Sequence, residues 1–238
     1  MSKALSTTDK NIVFEILKEL VGTDKLANEK ARVLITNIER RMALTQQRHL
    51  AGYLNFALTN NAEFSQFVSA LTIHHTLWFR EHSHFELVEK HLRDAQGAGR
   101  LAPLRILSAA CSTGEEVYSL GLLMETIRSQ SPGFNYEIIG VDIDPVSIQK
   151  AQTAIYKASS LSEVPTEYHR FILRGSGKTE GLFTLDKDIR RRCRFQTGNI
   201  LNLDSLNLNS FDLIFCRNVL IYFSEERVRT IMSSLHRH

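Results

Sequence analysis

The sequence predicts an α/β fold, a parallel doubly wound sheet preceded by a small all-helical domain, and three observations carry that reading. From about Leu101 onward short apolar runs alternate with helical patterns. A small-residue loop, Ser108-Ala-Ala-Cys-Ser-Thr-Gly-Glu-Glu116, joins the first run to the first helix, and Asp142 ends the next run. Strand, small-residue turn, helix and strand-end acid, in that order, form the layout of a nucleoside site at the C-terminal edge of an open sheet.

Taken in order, the elements begin with a helical stretch from about Asn11 to Ile73. Ile12, Val13, Ile16, Leu17 and Leu20 lie on one face, followed by Leu34, Ile38 and Met42, then Leu50, Tyr53, Leu54 and Ala57, then Phe64, Phe67, Val68 and Leu71. Residues 1–75 are therefore assigned to an all-helical domain, 76–100 to a helical linker and 101–238 to the α/β domain. The Gln96-Gly-Ala-Gly99 stretch reads as the loop between them. Strands are expected at Arg105 to Ser108, Tyr136 to Val141, Cys193 to Thr197 and Asp212 to Cys216. Helices are expected at Glu115 to Arg128, Pro145 to Thr153 and Glu225 to Leu235. Right-handed crossovers put the third and second strands on one side of the first and the fourth on the other, with the ligand crevice between the first and fourth. Ser112 or Thr113 can cap the first helix, with Glu115 or Glu116 closing a capping box. Arg174-Gly-Ser-Gly177, Gly181 and the alternation Leu182 to Leu185 read as an antiparallel flap over 172–190.

Composition narrows the function classes. With 238 residues and 43% hydrophobic content the chain can bury a proper core. No run approaches the ~18 uncharged apolar residues of a membrane span, and the polar start resembles no signal peptide. The expectation is a soluble, cytoplasmic protein without membrane insertion. The three cysteines, Cys111, Cys193 and Cys216, lack metal or redox spacing. A net charge of +3 does not indicate nucleic acid. Two basic clusters, Lys30, Arg32, Arg40, Arg41 and Arg48, then Lys187, Arg190, Arg191, Arg192 and Arg194, are either solvated faces or docking surfaces for an acidic macromolecule.

The small-residue loop argues against a nicotinamide dinucleotide. It lacks the glycines that let a helix N-terminus approach a pyrophosphate, and Glu115 and Glu116 at the helix start would repel phosphate. A cationic cofactor suits it better. S-adenosylmethionine carries an amino group, a sulfonium and ribose hydroxyls and no phosphate, matching acids at two strand ends.

Beyond these residues the chain resembles a known family, the CheR-type chemoreceptor glutamate methyltransferases. The resemblance runs through Thr76-Leu-Trp-Phe-Arg80, Ser112-Thr-Gly-Glu-Glu-Val-Tyr-Ser119, Asp142-Ile-Asp144, Gly198-Asn199 and Phe211-Asp-Leu-Ile-Phe-Cys-Arg-Asn-Val-Leu-Ile-Tyr-Phe223. It implies a class I S-adenosylmethionine-dependent methyltransferase domain. It further implies that Thr76, Arg80, Ala110, Glu116, Asp142, Asn199, Ile200, Cys216, Arg217 and Asn218 contact the cofactor and that Tyr222 faces the transferred methyl. Family members usually carry Asn two residues before the motif threonine; here that position is His74, which can still donate one hydrogen bond. His74, His75, His82 and His84 do not set out a metal face.

The implied reaction is methyl transfer to glutamate carboxylates of chemotaxis receptors, with Arg80 and Tyr222 as the catalytic pair. The implied partners are the receptors' cytoplasmic helices, which recruit the protein to membrane receptor arrays, and a receptor C-terminal peptide added to the flap near Gly175, Gly177 and Gly181. By the same resemblance, the basic face around Arg32, Arg40 and Arg41 meets the receptor bundle. Family members also continue beyond Leu235-His-Arg-His238 into a fifth parallel strand and a hairpin, so the sheet's C-terminal strands are expected to be missing here. The competing readings are a catalytically silent receptor-binding or scaffold fragment and a small-molecule or nucleic-acid methyltransferase. Against the latter, Cys216-Arg-Asn-Val219 lacks the Asn-Pro-Pro-aromatic motif that holds a planar amine.

Overall fold

Strand Leu104–Ala109 (β1) is apolar on both faces and becomes the centre of the parallel sheet, as a strand covered on both sides must. The computed structural model describes residues 4–97, 102–131 and 133–238. Five helices precede β1: Thr7–Ile16 (α1, continued by a wide turn at Leu17–Val21), Asn28–Leu44 (α2), Leu50–Thr59 (α3), Asn61–Ala70 (α4) and Ser83–Gly97 (α5). The first four close around Val13, Leu17, Leu34, Ile38, Met42, Tyr53 and Leu71. Ile12, expected on that inner face, is 42% exposed, because α1 turns Val13 inward instead. Of the expected 96–99 loop, Gln96 and Gly97 end α5, and Ala98 and Gly99 lie outside the described residues.

After β1 come Glu115–Gln130 (α6), Tyr136–Asp142 (β2), Pro145–Thr153 (α7), Tyr156–Lys157 (β3), Ile172–Arg174 (β4), Leu182–Leu185 (β5), Lys187–Arg192 (α8), Cys193–Thr197 (β6), Leu213–Cys216 (β7) and Glu225–Arg237 (α9). The main sheet has the order β6-β2-β1-β7, all parallel, which is the predicted topology. α6 fills one face with Val117, Leu120, Leu123 and Met124, each worth ~1.5–3 kcal/mol on full burial. That outweighs the ~1 kcal/mol helix penalty of Gly121. A Cβ there would meet Ile189 Cγ2 at 2.8 Å, so close packing against α8 requires the glycine. α9 covers the other face through Ile231 and Leu235, against Leu107 and Val141.

The flap differs from its expected outline. β4 and β5 are antiparallel as read, but β3 adds a third strand beside β5. Residues 187–190, assigned to the flap, belong to α8, because Asp186 accepts the Asp188 N–H and starts a helix there. This small sheet is docked by aromatic contacts: Trp78 stands edge-on to Tyr156 at 4.9 Å and tilted to Phe183 at 5.6 Å. The Tyr156 hydroxyl donates to the Thr113 carbonyl at 2.8 Å, tying the flap to the small-residue loop.

Candidate functional site

Parallel register sets the site. Ala109 is level with Val141 and Cys216, and Asp142 with Thr197, so the loops leaving β1, β2, β6 and β7 emerge along one edge. They surround a cavity of about 430 Å³ that α1, α2 and the Thr72 to Arg80 segment close from the helical side. That volume falls within the ~300–1,000 Å³ of small-molecule sites. His74, Thr76, Arg80, Ala110, Glu116, Asp142, Asn199, Ile200, Arg217, Asn218 and Tyr222 all line it, whereas Cys216 does not. Cys216 sits at the end of β7 opposite Ala109, with its thiol pushed up to about 11 by burial.

The small-residue loop is not capped as the sequence suggested. Neither Ser112 nor Thr113 caps α6, and no capping box forms. Gly114 occupies the cap position at φ +93°, and Thr113 Oγ1 donates instead to Glu115 Oε2 at 2.6 Å. Left-handed backbone recurs at Ala110 (φ 65°) and Ser112 (φ 49°) in this loop and at Phe79, Glu81 and Asn218 across the cavity. Non-glycine residues in this region cost about 1–3 kcal/mol each and gather at sites where the chain must aim groups inward.

The turn aims two buried acids. Asp142 accepts the Ser112 N–H at 2.7 Å and the Asp144 N–H at 2.9 Å, one on each carboxylate oxygen. Each oxygen keeps a lone pair for a further donor. Glu116 accepts from Ser108 Oγ at 2.8 Å, and its other oxygen is 3.4 Å from Arg217 Nη1. Burial pushes both carboxyls upward. Backbone N–H groups oppose it at Asp142; Ser108 and the Arg217 and Arg80 charges oppose it at Glu116. Arg217 also bonds the Arg80 carbonyl and Glu81, and Asn218 donates to Glu81 at 2.8 Å. The Ser112 hydroxyl and Arg217 Nε are buried without a hydrogen-bond partner among the described residues, and Arg217 Nη1 has only its ion pair with Glu116. Unsatisfied donors of this kind call for a ligand or water. Buried acids held ready, free donors and apolar walls at Ile143 and Ile200 fit a cationic nucleoside such as S-adenosylmethionine.

A model of the CheR methyltransferase SAM-binding domain matches residues 74–238. The chain belongs to the CheR methyltransferase family. It is 33% identical over 210 residues to the chemotaxis protein methyltransferase of Salmonella typhimurium, covering 87% of this chain and 71% of that one. To chemotaxis protein methyltransferase 2 of Pseudomonas aeruginosa it is 36% identical over 215 residues, covering 90% and 75%. A Campylobacter jejuni relative aligns over 98% of this chain and 84% of its own at 28% identity. This CheR methyltransferase is thus an S-adenosylmethionine-dependent enzyme with a class I methyltransferase sheet.

Several residues of this CheR chain also make contacts within the protein. His74 lines the cavity, but both ring nitrogens are occupied: Nδ1 is 3.0 Å from Ser147 Oγ and Nε2 3.0 Å from the Ser69 carbonyl, with Asp144 at 3.5 Å. It clips α4 to α7. Asn199 accepts the Leu201 N–H and donates to the Leu20 carbonyl at 3.3 Å, joining the two halves of the molecule. Arg41, grouped with the basic docking face, is bound to Glu63, which also accepts from the buried Tyr53 at 3.0 Å. Lys30, one charge of that cluster, places its Nζ 2.5 Å from Tyr222 Oη. The Tyr222 carbonyl accepts the Asp24 and Lys25 N–H groups at 3.1 and 3.0 Å, so the helical half also fixes the tyrosine's backbone.

Proposed function

We propose that this chain methylates glutamate side-chain carboxylates of chemotaxis receptors, forming methyl esters. The observation that carries the reading is the pairing on one cavity: the acids Glu116 and Asp142 and the donors Arg80, Lys30 and Tyr222 all line it. Acids suit a cationic methyl donor, and cations suit an anionic acceptor. A glutamate carboxylate, with a reference pKa of about 4.3, is already ionised at neutral pH and needs no base. When bound, the cofactor supplies a methyl on a cationic sulfur, so transfer forms one O–C bond, breaks one S–C bond with its pair left on sulfur, and moves no proton.

The chain's own part is positioning and exclusion of water. Asp142 holds ribose hydroxyls on its free lone pairs and Glu116 the amino group. Ala110, Asn199 and Ile200 line the nucleoside wall, and Thr76, Arg80, Arg217 and Asn218 shape the end near Tyr222. Arg80, whose Nη1 donates to the His75 carbonyl at 3.0 Å, keeps further N–H groups for a carboxylate. Alignment at near-attack distance contributes on the order of 7 kcal/mol or more. His74 serves as a scaffold for the Thr76 turn.

The same reading takes the partner to be the receptor's cytoplasmic helices, with the protein cytoplasmic and recruited to receptor arrays. No helix among the described residues is long and apolar enough to cross a membrane. β4 pairs only with β5 among the described residues, so its outer edge is available to an added receptor peptide strand. Gly175 supports that edge: a Cβ there would meet the Thr179 carbonyl oxygen at 2.0 Å, so the tight turn after β4 needs the glycine. Transfer of labelled methyl to receptor-containing membranes tests the function. Arg80→Ala and Tyr222→Phe are expected to lower it at least tenfold, and wild-type rates in both variants would refute the assignment.

A further inference from the structure

Lys30 lies one helical turn before Leu34 on α2, and both side chains reach the same cavity. Its Nζ donates to Tyr222 Oη at 2.5 Å and stands 4.3 Å from the centroid of that ring. Among the lysines and arginines lining this cavity, Arg217 has Glu116 and Glu81 as acidic partners, and Arg80 donates to the His75 carbonyl. Lys30 has no acidic partner among the described residues, although it is half-buried.

The direction of this hydrogen bond matters. An ammonium has three N–H donors and no acceptor, so the phenol oxygen must accept. That leaves the Tyr222 O–H proton to point elsewhere, and it meets no acceptor among the described residues. One wall therefore offers an ammonium N–H and a phenol O–H from atoms 2.5 Å apart. Paired donors at that spacing suit the two oxygens of a carboxylate. They suit a carboxamide poorly, because its NH₂ would face donors.

We propose that Lys30 and Tyr222 form the clamp for the acceptor carboxylate, with Lys30 as the residue that positions it and selects glutamate over glutamine. The proposal rests on the reading of the acceptor given above. It requires no proton transfer from Lys30, and it leaves Arg217, paired with Glu116, at the cofactor end.

The test compares the full chain with Lys30→Met and Lys30→Arg. Each is loaded with S-adenosylhomocysteine and cosedimented with membranes whose receptors carry either glutamate or glutamine at the methylation sites. The wild type is expected to bind the glutamate form about tenfold more tightly, Lys30→Met to bind both alike, and Lys30→Arg to keep most of the preference. Calorimetry should give Lys30→Met a homocysteine-product affinity within about twofold of wild type, which also shows that it folds. In the transfer assay its KM for receptor should rise about tenfold with a smaller change in kcat. Retention of the glutamate preference by Lys30→Met would overturn the proposal. So would an equal fall in its product affinity, which would assign Lys30 to the cofactor. A wild type that transfers no methyl to these membranes would instead sink the functional reading beneath it.

Discussion

The Arg217 guanidinium stands 3.4 Å from Glu116 and 3.2 Å from Glu81, so one cation from the loop after β7 joins the start of α6 to the Arg80 turn. Its side chain is only 10% exposed. Breaking such a network by removing one member leaves buried charge uncompensated, at about 3 kcal/mol. Arg217→Ala is expected to lower the denaturant midpoint accordingly and to weaken S-adenosylhomocysteine binding at least tenfold. Equilibrium unfolding and calorimetry on one preparation measure both.

Acidification should release the cofactor early. Burial raises the carboxyls of Asp142 and Glu116 in the free protein, and a bound cation favours their ionised forms. Affinity is therefore full above their raised values and falls as pH drops through them, beginning above the usual carboxylate range. For the free fold the sign is opposite. A raised folded pKa contributes stability below the unfolded value and loses it as pH rises, so at neutral pH these acids weigh against the fold until ligand binds. Calorimetric affinities from pH 8 down to pH 5 provide the check.

Gly114 should not tolerate a side chain. At φ +93° a Cβ would lie 2.8 Å from Ala151 Cβ and 3.0 Å from the Tyr156 hydroxyl. Gly114→Ala is expected to cost about 1–3 kcal/mol and to disturb the Tyr156 bond to Thr113, loosening the flap. Denaturant midpoints measure the first effect and proteolysis of the flap the second.

Asp24 links stability to turnover. Its carboxylate accepts the Ser224 N–H at 2.5 Å and lies 3.6 Å from Arg227, while its own N–H holds the Tyr222 carbonyl. Burial acts to raise its pKa, but Ser224 and Arg227 together outweigh this and hold it below the usual value. The contribution is thus present above the unfolded pKa and is lost as pH falls through the lower folded one. Asp24→Ala should cost about 1–2 kcal/mol and reduce kcat more than cofactor affinity, as unfolding and steady-state rates can show.

The sheet order was legible because apolar runs mark β1, β2 and β7 and right-handed crossovers fix the order of the strands that begin near Arg105, Tyr136, Cys193 and Asp212. Asp142 was legible from its place at the end of β2 and Glu116 from its place in the first turn of α6. Gly114 was not, since hydroxyl residues next to a helix start normally cap it, and only the succession of left-handed turns at Ala110 and Ser112 overrides that preference. β3 escaped because two residues, Tyr156 and Lys157, carry no period. The contact of Lys30 with Tyr222 spans 192 residues, and no local pattern encodes a bond made by closing the helical half onto the sheet.

The central claim is that this cavity delivers a methyl group to a carboxylate. The most direct measurement is incubation of the full chain with methyl-labelled S-adenosylmethionine and receptor-containing membranes, followed by alkali treatment of the labelled receptor band. The expected result is label on the receptor that alkali releases as methanol, the behaviour of a methyl ester. Tight cofactor binding with no receptor label, or label that survives alkali, would contradict it.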